Sequence, residues 1–560
     1  MTGTATAVPR RHAPPAGPPG AGTPQAILPA MACLLLLALP LSGCGGEPEH
    51  AARAPILNYR MPEAPRTLDP HRAGDNNSLV YVYLIFDGLL EFVPGSFEVR
   101  PALAESWSVS DDGLTYTFRL RGGLSFHNGR PIVADDVVYS LRRALSRDAR
   151  SEKRDFLAPL LGAAGFWAGE TGELPGVAAP DPRTVVLTLT DPYPRFPTVL
   201  AGEAGSIIPR EVYDDPEEAF LRRPVGSGPF RLETMDDIGI TLTRFEEHWK
   251  GRPSGAGIDA IRVRYIRDAS TALEEYRAGN LDFNFELPPG QRARIREEFP
   301  GHYHHGRLLW ILYLAFNHAT GPFHDNLPLR RAVAHAIDSG FIVDSIQEGK
   351  DYPATGIITP GLPGHTDGAP LYPHDVERAK ALMVEAGFPG GEGLEEIDYL
   401  TNETQGFRRV AERIRSDLSR IGIRIRINEM DFGAFLSELT REGGPGAPCW
   451  RMTWFADWPD TDNFLGMQFA SDAGTNFSRY RNPEFDDLIR RARHEPDDAE
   501  REALYRRADR LLMEDAAAVP IYWYGTDNLI RPEFTGAVLS PLGEFAIPWE
   551  EVTMTEAAGR

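Results

Sequence analysis

The residues able to do chemistry concentrate in one short stretch. Between Cys449 and Phe469 the chain packs Trp450, Trp454, Phe455 and Trp458 around Arg451, Asp457 and Asp460. Aromatic residues at this density ordinarily build a core. A cation and anions threaded through them are costly to bury unless each meets a partner. Two kinds of partner fit the pattern: an ion pair within the protein, or a ligand with an ammonium at one end and a carboxylate at the other. His302, His304 and His305 form a second group. On a strand His302 and His304 share a face and His305 points away. The group reads as a solvated strand end between Gly301 and Gly306, or as two imidazoles able to hold a transition metal with outside help. The acid pairs Asp111-Asp112, Asp135-Asp136 and Asp214-Asp215 sit beside turns or helix starts, where capping is the ordinary role. The sequence holds no G-x-S-x-G, H-E-x-x-H, P-loop or G-x-G-x-x-G motif. Val225-Gly226-Ser227-Gly228-Pro229 is glycine-rich, but Pro229 removes a donor that a phosphate nest would use. It reads as a tight turn between lobes.

The elements that must position these residues are legible from periodicity. Trp107 to Arg121 predicts a hairpin, with Asp112-Gly113 at the turn and Leu114, Tyr116, Phe118 and Leu120 alternating. Val185, Leu187 and Leu189 alternate again. Asp375 is placed to cap a helix carrying Val376, Ala379, Leu382, Met383 and Ala386 on one face, stopped by Gly387. Phe407, Val410, Ala411, Ile414 and Leu418 repeat at helical spacing. Gly422 then ends that helix, and Ile423, Ile425 and Ile427 alternate as a strand. Further amphipathic helices are expected around Phe485–Ala492 and Ala499–Leu512. The N-terminal half is thus β-rich and the C-terminal half α/β, so at least two lobes are expected.

Composition bounds the function. The 560 residues carry 58 Lys and Arg against 80 Asp and Glu, a formal charge of −22. So acidic a chain repels phosphate backbones and anionic membrane surfaces, which sets nucleic-acid binding aside. The run Ile27 to Pro40 is too short for an ordinary membrane span, follows Arg10 and Arg11, and precedes Leu41-Ser42-Gly43-Cys44. This resembles a bacterial lipobox, in which the Cys44 thiol is lipidated and becomes the first mature residue. Removal of residues 1–43 leaves Cys449 without an intramolecular partner, so no disulfide framework or multi-cysteine metal site is expected.

Ordered matches along the chain resemble the extracytoplasmic solute-binding proteins of peptide and nickel ABC importers. They are Thr67-Leu68-Asp69-Pro70, Ile85-Phe86-Asp87-Gly88-Leu89, the block Pro101 to Val138, Val225 to Phe230, Phe316-Asn317, Arg330-Arg331-Ala332-Val333, Ala336-Ile337-Asp338 and the helix Asp375 to Gly387. The resemblance implies an α/β, two-lobed periplasmic-binding-protein-like fold with an additional N-terminal mixed domain. It implies a signal peptide over 1–43, a tether over 44–54, and lobe I from 55–90, 209–316 and a return over 526–560. The additional β-rich domain would take 91–208 and lobe II 317–525. The implied role is a non-enzymatic, monomeric receptor, without a cofactor, that captures short peptides, oligopeptides favoured, and delivers them to permease and ATPase subunits. Asp457 falls where peptide-binding members pair an aspartate with the ligand's ammonium, and Arg451 where oligopeptide-binding members face its carboxylate. Trp454, Phe455 and Ala456 complete the expected site, and Arg441 is a nearby cation of unassigned register. A nickel, metallophore or oligosaccharide ligand is the alternative within the family, and a secreted hydrolase the alternative outside it.

Overall fold

The computed structural model describes residues 55–555 apart from residue 152 and residues 213–219, 221–222 and 442–443. The expected signal peptide, the tether with Cys44, and Asp214-Asp215 lie outside the described residues.

The predicted hairpin forms as the antiparallel strands Ala104–Val109 and Thr115–Leu120. Gly113 turns it at a φ of +71°, and Asp112 Oδ1 accepts from Leu114 N at 3.0 Å. These strands continue through Thr184–Thr188 to Val177–Asp181 as a four-stranded sheet. Phe118, Leu187 and Leu141 bury a core of their own between Leu89 and Ile207, the additional domain. One residue of that core comes from far away in sequence: Trp458.

An 11-stranded mixed sheet runs through both lobes. In lobe II, Ile397–Asn402 and Ile425–Met430 pair in parallel, which requires a crossover. The helix Gln405–Ser419 supplies it, burying Val410, Ile414 and Leu418 against the sheet. Asp375 caps the helix Val376–Glu385 through Arg378 N, and Gly387 follows it at a φ of +86°. In lobe I, Ile56–Met61 pairs in parallel with Ala260–Tyr265. Two long antiparallel strands, Tyr303–Phe316 and Ala518–Ile530, lie side by side in the middle of this sheet. Their register shifts between Arg307 and Ile311 and again between Leu312 and Tyr313. No helix among the described residues is long and apolar enough to cross a membrane.

The glycine-rich connector departs from expectation. Residues 223–227 run without regular structure or an assigned turn, and Gly226 and Gly228 have no positive φ. Glycine is required by close approach instead: a Cβ on Gly226 would lie 1.9 Å from the carbonyl oxygen of Ile85. His127 holds the connector from the other side, donating its backbone N–H to Gly226 O at 2.8 Å.

Candidate functional site

The strand Cys449–Phe455 carries the site into the middle of the molecule. Alternation puts Arg451, Thr453 and Phe455 on one side and Trp450, Met452 and Trp454 on the other. Along one edge the strand is paired throughout, from Phe455 opposite Trp310 to Cys449 opposite Phe316. Along the other edge, only Cys449 and Trp450 meet a neighbour, opposite Tyr399 and Leu400. From Arg451 onward that edge has no strand beside it among the described residues. Its backbone groups are therefore open to pairing.

At one end of this edge lies Arg451, 4 % exposed. Its guanidinium donates to Thr453 Oγ1 at 2.6 Å and to Asn402 Oδ1. It is stacked between aromatic rings, 4.2 Å from the centroid of Phe407 and 5.0 Å from that of Phe435. No carboxylate pairs with it among the described residues, and its Nε has no hydrogen-bond partner. Burial pulls its pKa below the usual guanidinium value, with the hydroxyls of Tyr524, Tyr399, Tyr522 and Tyr313 opposing the shift. Tyr524 OH stands 3.4 Å from Thr453 Oγ1, and Trp310 bridges the Tyr524 and Phe455 rings at 5.6 and 5.7 Å.

At the other end lies Asp457. Ala456 N donates to Leu309 O at 2.9 Å, closing the strand pairing just before it. Trp458, just after it, is anchored in the additional domain, its ring 4.9 Å from Phe156. Asp457 is thereby held between lobe II and the additional domain. Its Oδ2 accepts from Asn463 Nδ2 at 3.1 Å, and Asn463 Oδ1 accepts from Trp454 Nε1 at 2.9 Å. Two further charges stand by: Lys153 and Glu203, both buried and paired at 2.7 Å. Tyr83 OH donates to Glu203 at 3.4 Å. Burial pushes the Asp457 carboxyl up to about 6; Glu203 adds to the shift, while Lys153 and the Asn463 bond oppose it.

The structure thus brings Asp457, Trp454, Phe455, Ala456 and Arg451 onto one continuous strand and its exit, with the two charges at opposite ends and not paired with each other. Six residues of extended chain span at most about 21 Å. Lys153, Glu203, Tyr83, Asn402, Phe407 and Tyr524 were not anticipated. Thr453 and Asn463 lie inside the conspicuous segment, and nothing local marks the others. Asp460 has a structural task, capping the helix that follows and facing Arg195 at 3.6 Å. Arg441 is exposed and turned to Glu438 at 3.6 Å. The histidines do not converge: His302 meets Tyr276 OH at 2.8 Å, whereas His305 bonds Asp527 at 2.8 Å and Tyr352 OH at 2.7 Å. Among the described residues no three metal-ligating side chains cluster.

Known proteins carry the same plan. A family model described as bacterial extracellular solute-binding proteins, family 5 Middle, matches residues 98–476. Heme-binding protein A of Haemophilus influenzae is 30% identical over 481 residues, covering 82% of this chain and 85% of the relative. The dipeptide-binding protein of Escherichia coli K12 is 30% identical over 489 residues, 82% of this chain and 87% of the relative. The solved periplasmic binding protein DppA from Helicobacter pylori, in complex with the peptide STSA, superposes with a TM-score of 0.74 at 27% identity, over 90% of this chain and 98% of that one. The extent of these matches, over both lobes and the strand bearing the site, settles the family: the chain belongs to the bacterial extracellular solute-binding proteins of family 5, whose work is binding and transport rather than catalysis.

Proposed function

We propose that this chain captures short peptides, oligopeptides favoured, outside the cytoplasm and delivers them to the permease and ATPase subunits of an ABC importer. The observation that carries the reading is a pair of opposite charges at the two ends of one open strand edge: Arg451, a buried guanidinium, and Asp457, a partly covered carboxylate, bonded among the described residues to no carboxylate and no cation respectively. A peptide supplies the complement of each, its ammonium for Asp457 and its carboxylate for Arg451. Its backbone can add to the open edge at Thr453–Phe455, which reads what all peptides share. Trp454, Phe455 and Trp310 exclude water, strengthening both charge pairs. A ligand touching both lobes favours the closed arrangement, coupling occupancy to shape. The relatives named above include a heme-binding protein. Porphyrin propionates are both anionic, however, and would set like charge against Asp457 and Glu203.

In this reading the receptor acts as a monomer, tethered through lipidated Cys44 to the membrane that holds its permease. The test is native mass spectrometry of the protein starting at Gly45, purified without refolding, beside a denatured sample. Extra mass that leaves on denaturation and sequences as short peptides supports the proposal and gives their length. A metal, a sugar or a single non-peptide ligand refutes it.

A further inference from the structure

Glu544 is a buried acid that the two anchors leave unused. Asn528 Nδ2 donates to Thr526 Oγ1 at 3.2 Å, Thr526 Oγ1 donates to Glu544 Oε1 at 3.3 Å, and Asn76 Nδ2 donates to Glu544 Oε2 at 3.5 Å. These bonds are long, the last at the outer limit of a hydrogen bond. With the amides turned this way, Asn528 Oδ1 and Asn76 Oδ1 are buried without a donor, and the Tyr59 hydroxyl also lacks a partner. No cation is bonded to Glu544 among the described residues. The neighbouring acid Glu286 is held by Arg60 Nη1 at 3.0 Å, a nitrogen that also donates to Phe285 O, and the other two Arg60 nitrogens donate to the carbonyls of Ile266 and Arg267. Burial raises the Glu544 pKa, and the charge of Glu286 raises it further. Beside Glu544 the unmet groups are two amide oxygens, which accept, and the Tyr59 hydroxyl, which can accept or donate.

Its place in the fold links it to the peptide site. Phe545, next in sequence, lies 5.2 Å from the ring of Tyr83, which reaches Glu203 beside Asp457. Thr526 is two residues from Tyr524 on one strand, so the two share a side. Tyr524 in turn touches the Thr453 hydroxyl that receives Arg451. Glu544 is therefore linked through Phe545 and Tyr83 to the ammonium end and through Thr526 and Tyr524 to the carboxylate end. Asn76, Tyr83, Tyr524 and Thr526 are only partly covered.

We propose that Glu544, with Asn76, Asn528 and Tyr59, is a subsite for a cationic side chain of the bound ligand, which makes the preferred cargo basic peptides. This rests on the peptide reading above. A guanidinium carries five donors and no acceptor, the complement of this acceptor cluster. The local charges agree: Lys153 is engaged by Glu203 and Arg60 by Glu286, and among the described residues no cation is bonded to Asp457 or to Glu544. An ammonium and one basic side chain neutralise both.

The test is calorimetric titration of the whole mature protein with alanine peptides of two to five residues. Each is compared with versions carrying one arginine, or its neutral isostere citrulline, at each position in turn. The expected result is one arginine position that binds at least about tenfold more tightly than its citrulline and alanine counterparts, as a charge-assisted pair in a buried site should. In Glu544→Gln that advantage disappears while the plain alanine peptides bind unchanged. Plain peptides that bind without any arginine preference overturn this inference alone, as does a preference that survives in Glu544→Gln. Failure of every peptide to bind overturns the peptide reading and this inference with it. The arginine–citrulline comparison uses the natural protein, so it decides the matter even where the variant fails to fold.

Discussion

Replacing Asp457 by asparagine sets ligand affinity against stability. The side chain keeps its size and a partner in Asn463, but loses its charge. In the unliganded protein the Asp457 carboxyl titrates at about 6 against an ordinary 3.8, chiefly because it is buried. A folded-state pKa above the unfolded one means that the native state holds the proton more tightly. Ionised Asp457 therefore costs stability above pH 6, and the cost fades as pH falls towards 3.8. Two pKa units correspond to about 3 kcal/mol at pH 7. Asp457→Asn is expected to be more stable by up to that amount at pH 8 and equal to the natural protein near pH 4, as measured by urea denaturation. Binding moves the other way. An ammonium left against a neutral amide in a water-excluded site should lose roughly 3–5 kcal/mol, or two to four decades in affinity. The pH profile carries the same signature: the natural protein's affinity is flat above pH 6 and falls about tenfold per unit below it, by the linkage of binding to one proton. The difference between its profile and that of Asp457→Asn isolates this group from other titrating acids. Calorimetric titrations from pH 5 to 8 supply both curves. Unchanged affinity in the variant, or parallel profiles, would refute the ammonium-anchor reasoning.

Other expectations follow from the same geometry. Arg451→Met keeps the stacking between Phe407 and Phe435 but removes the charge; affinity for free peptides should fall by about 2–5 kcal/mol, whereas C-terminally amidated peptides should scarcely distinguish variant from natural protein. Lys153→Met leaves Glu203 buried without its cation and raises the acidity-opposing field on Asp457. A stability loss of about 3–5 kcal/mol is expected at pH 7, and a further upward shift of the Asp457 titration should appear in the binding pH profile. Gly226→Ala drives a methyl into the Ile85 carbonyl; chemical denaturation should show a loss of about 1–3 kcal/mol, typical of overpacking, and a variant as stable as the parent would refute the close-approach account of that glycine.

Much of the architecture was legible because it is governed by short-range periodicity. The hairpin around Asp112-Gly113 and the capped helix after Asp375 formed where alternation and turn chemistry placed them, and the strand expected after Gly422 formed from Ile425, leaving Ile423 outside it. Arg451 and Asp457 were conspicuous for a related reason: charges among tryptophans announce a burial cost that something must offset. The glycine-rich connector was misread because a glycine demanded by a neighbouring carbonyl looks, in sequence, like one demanded by a turn.

What the sequence determined by itself was therefore local: the elements, the acidic composition, and two charges six residues apart among tryptophans. Only the tertiary structure decided what those charges face. Lys153 and Glu203 reach Asp457 from about 300 and 250 residues upstream, Trp458 pins it by joining a core otherwise drawn from Leu89 to Ile207, and Glu544 meets Asn76 across nearly the whole chain. These contacts are set by how sheets and lobes stack, and a polar side chain that finds its partner across a lobe boundary leaves no periodic mark in the sequence around it.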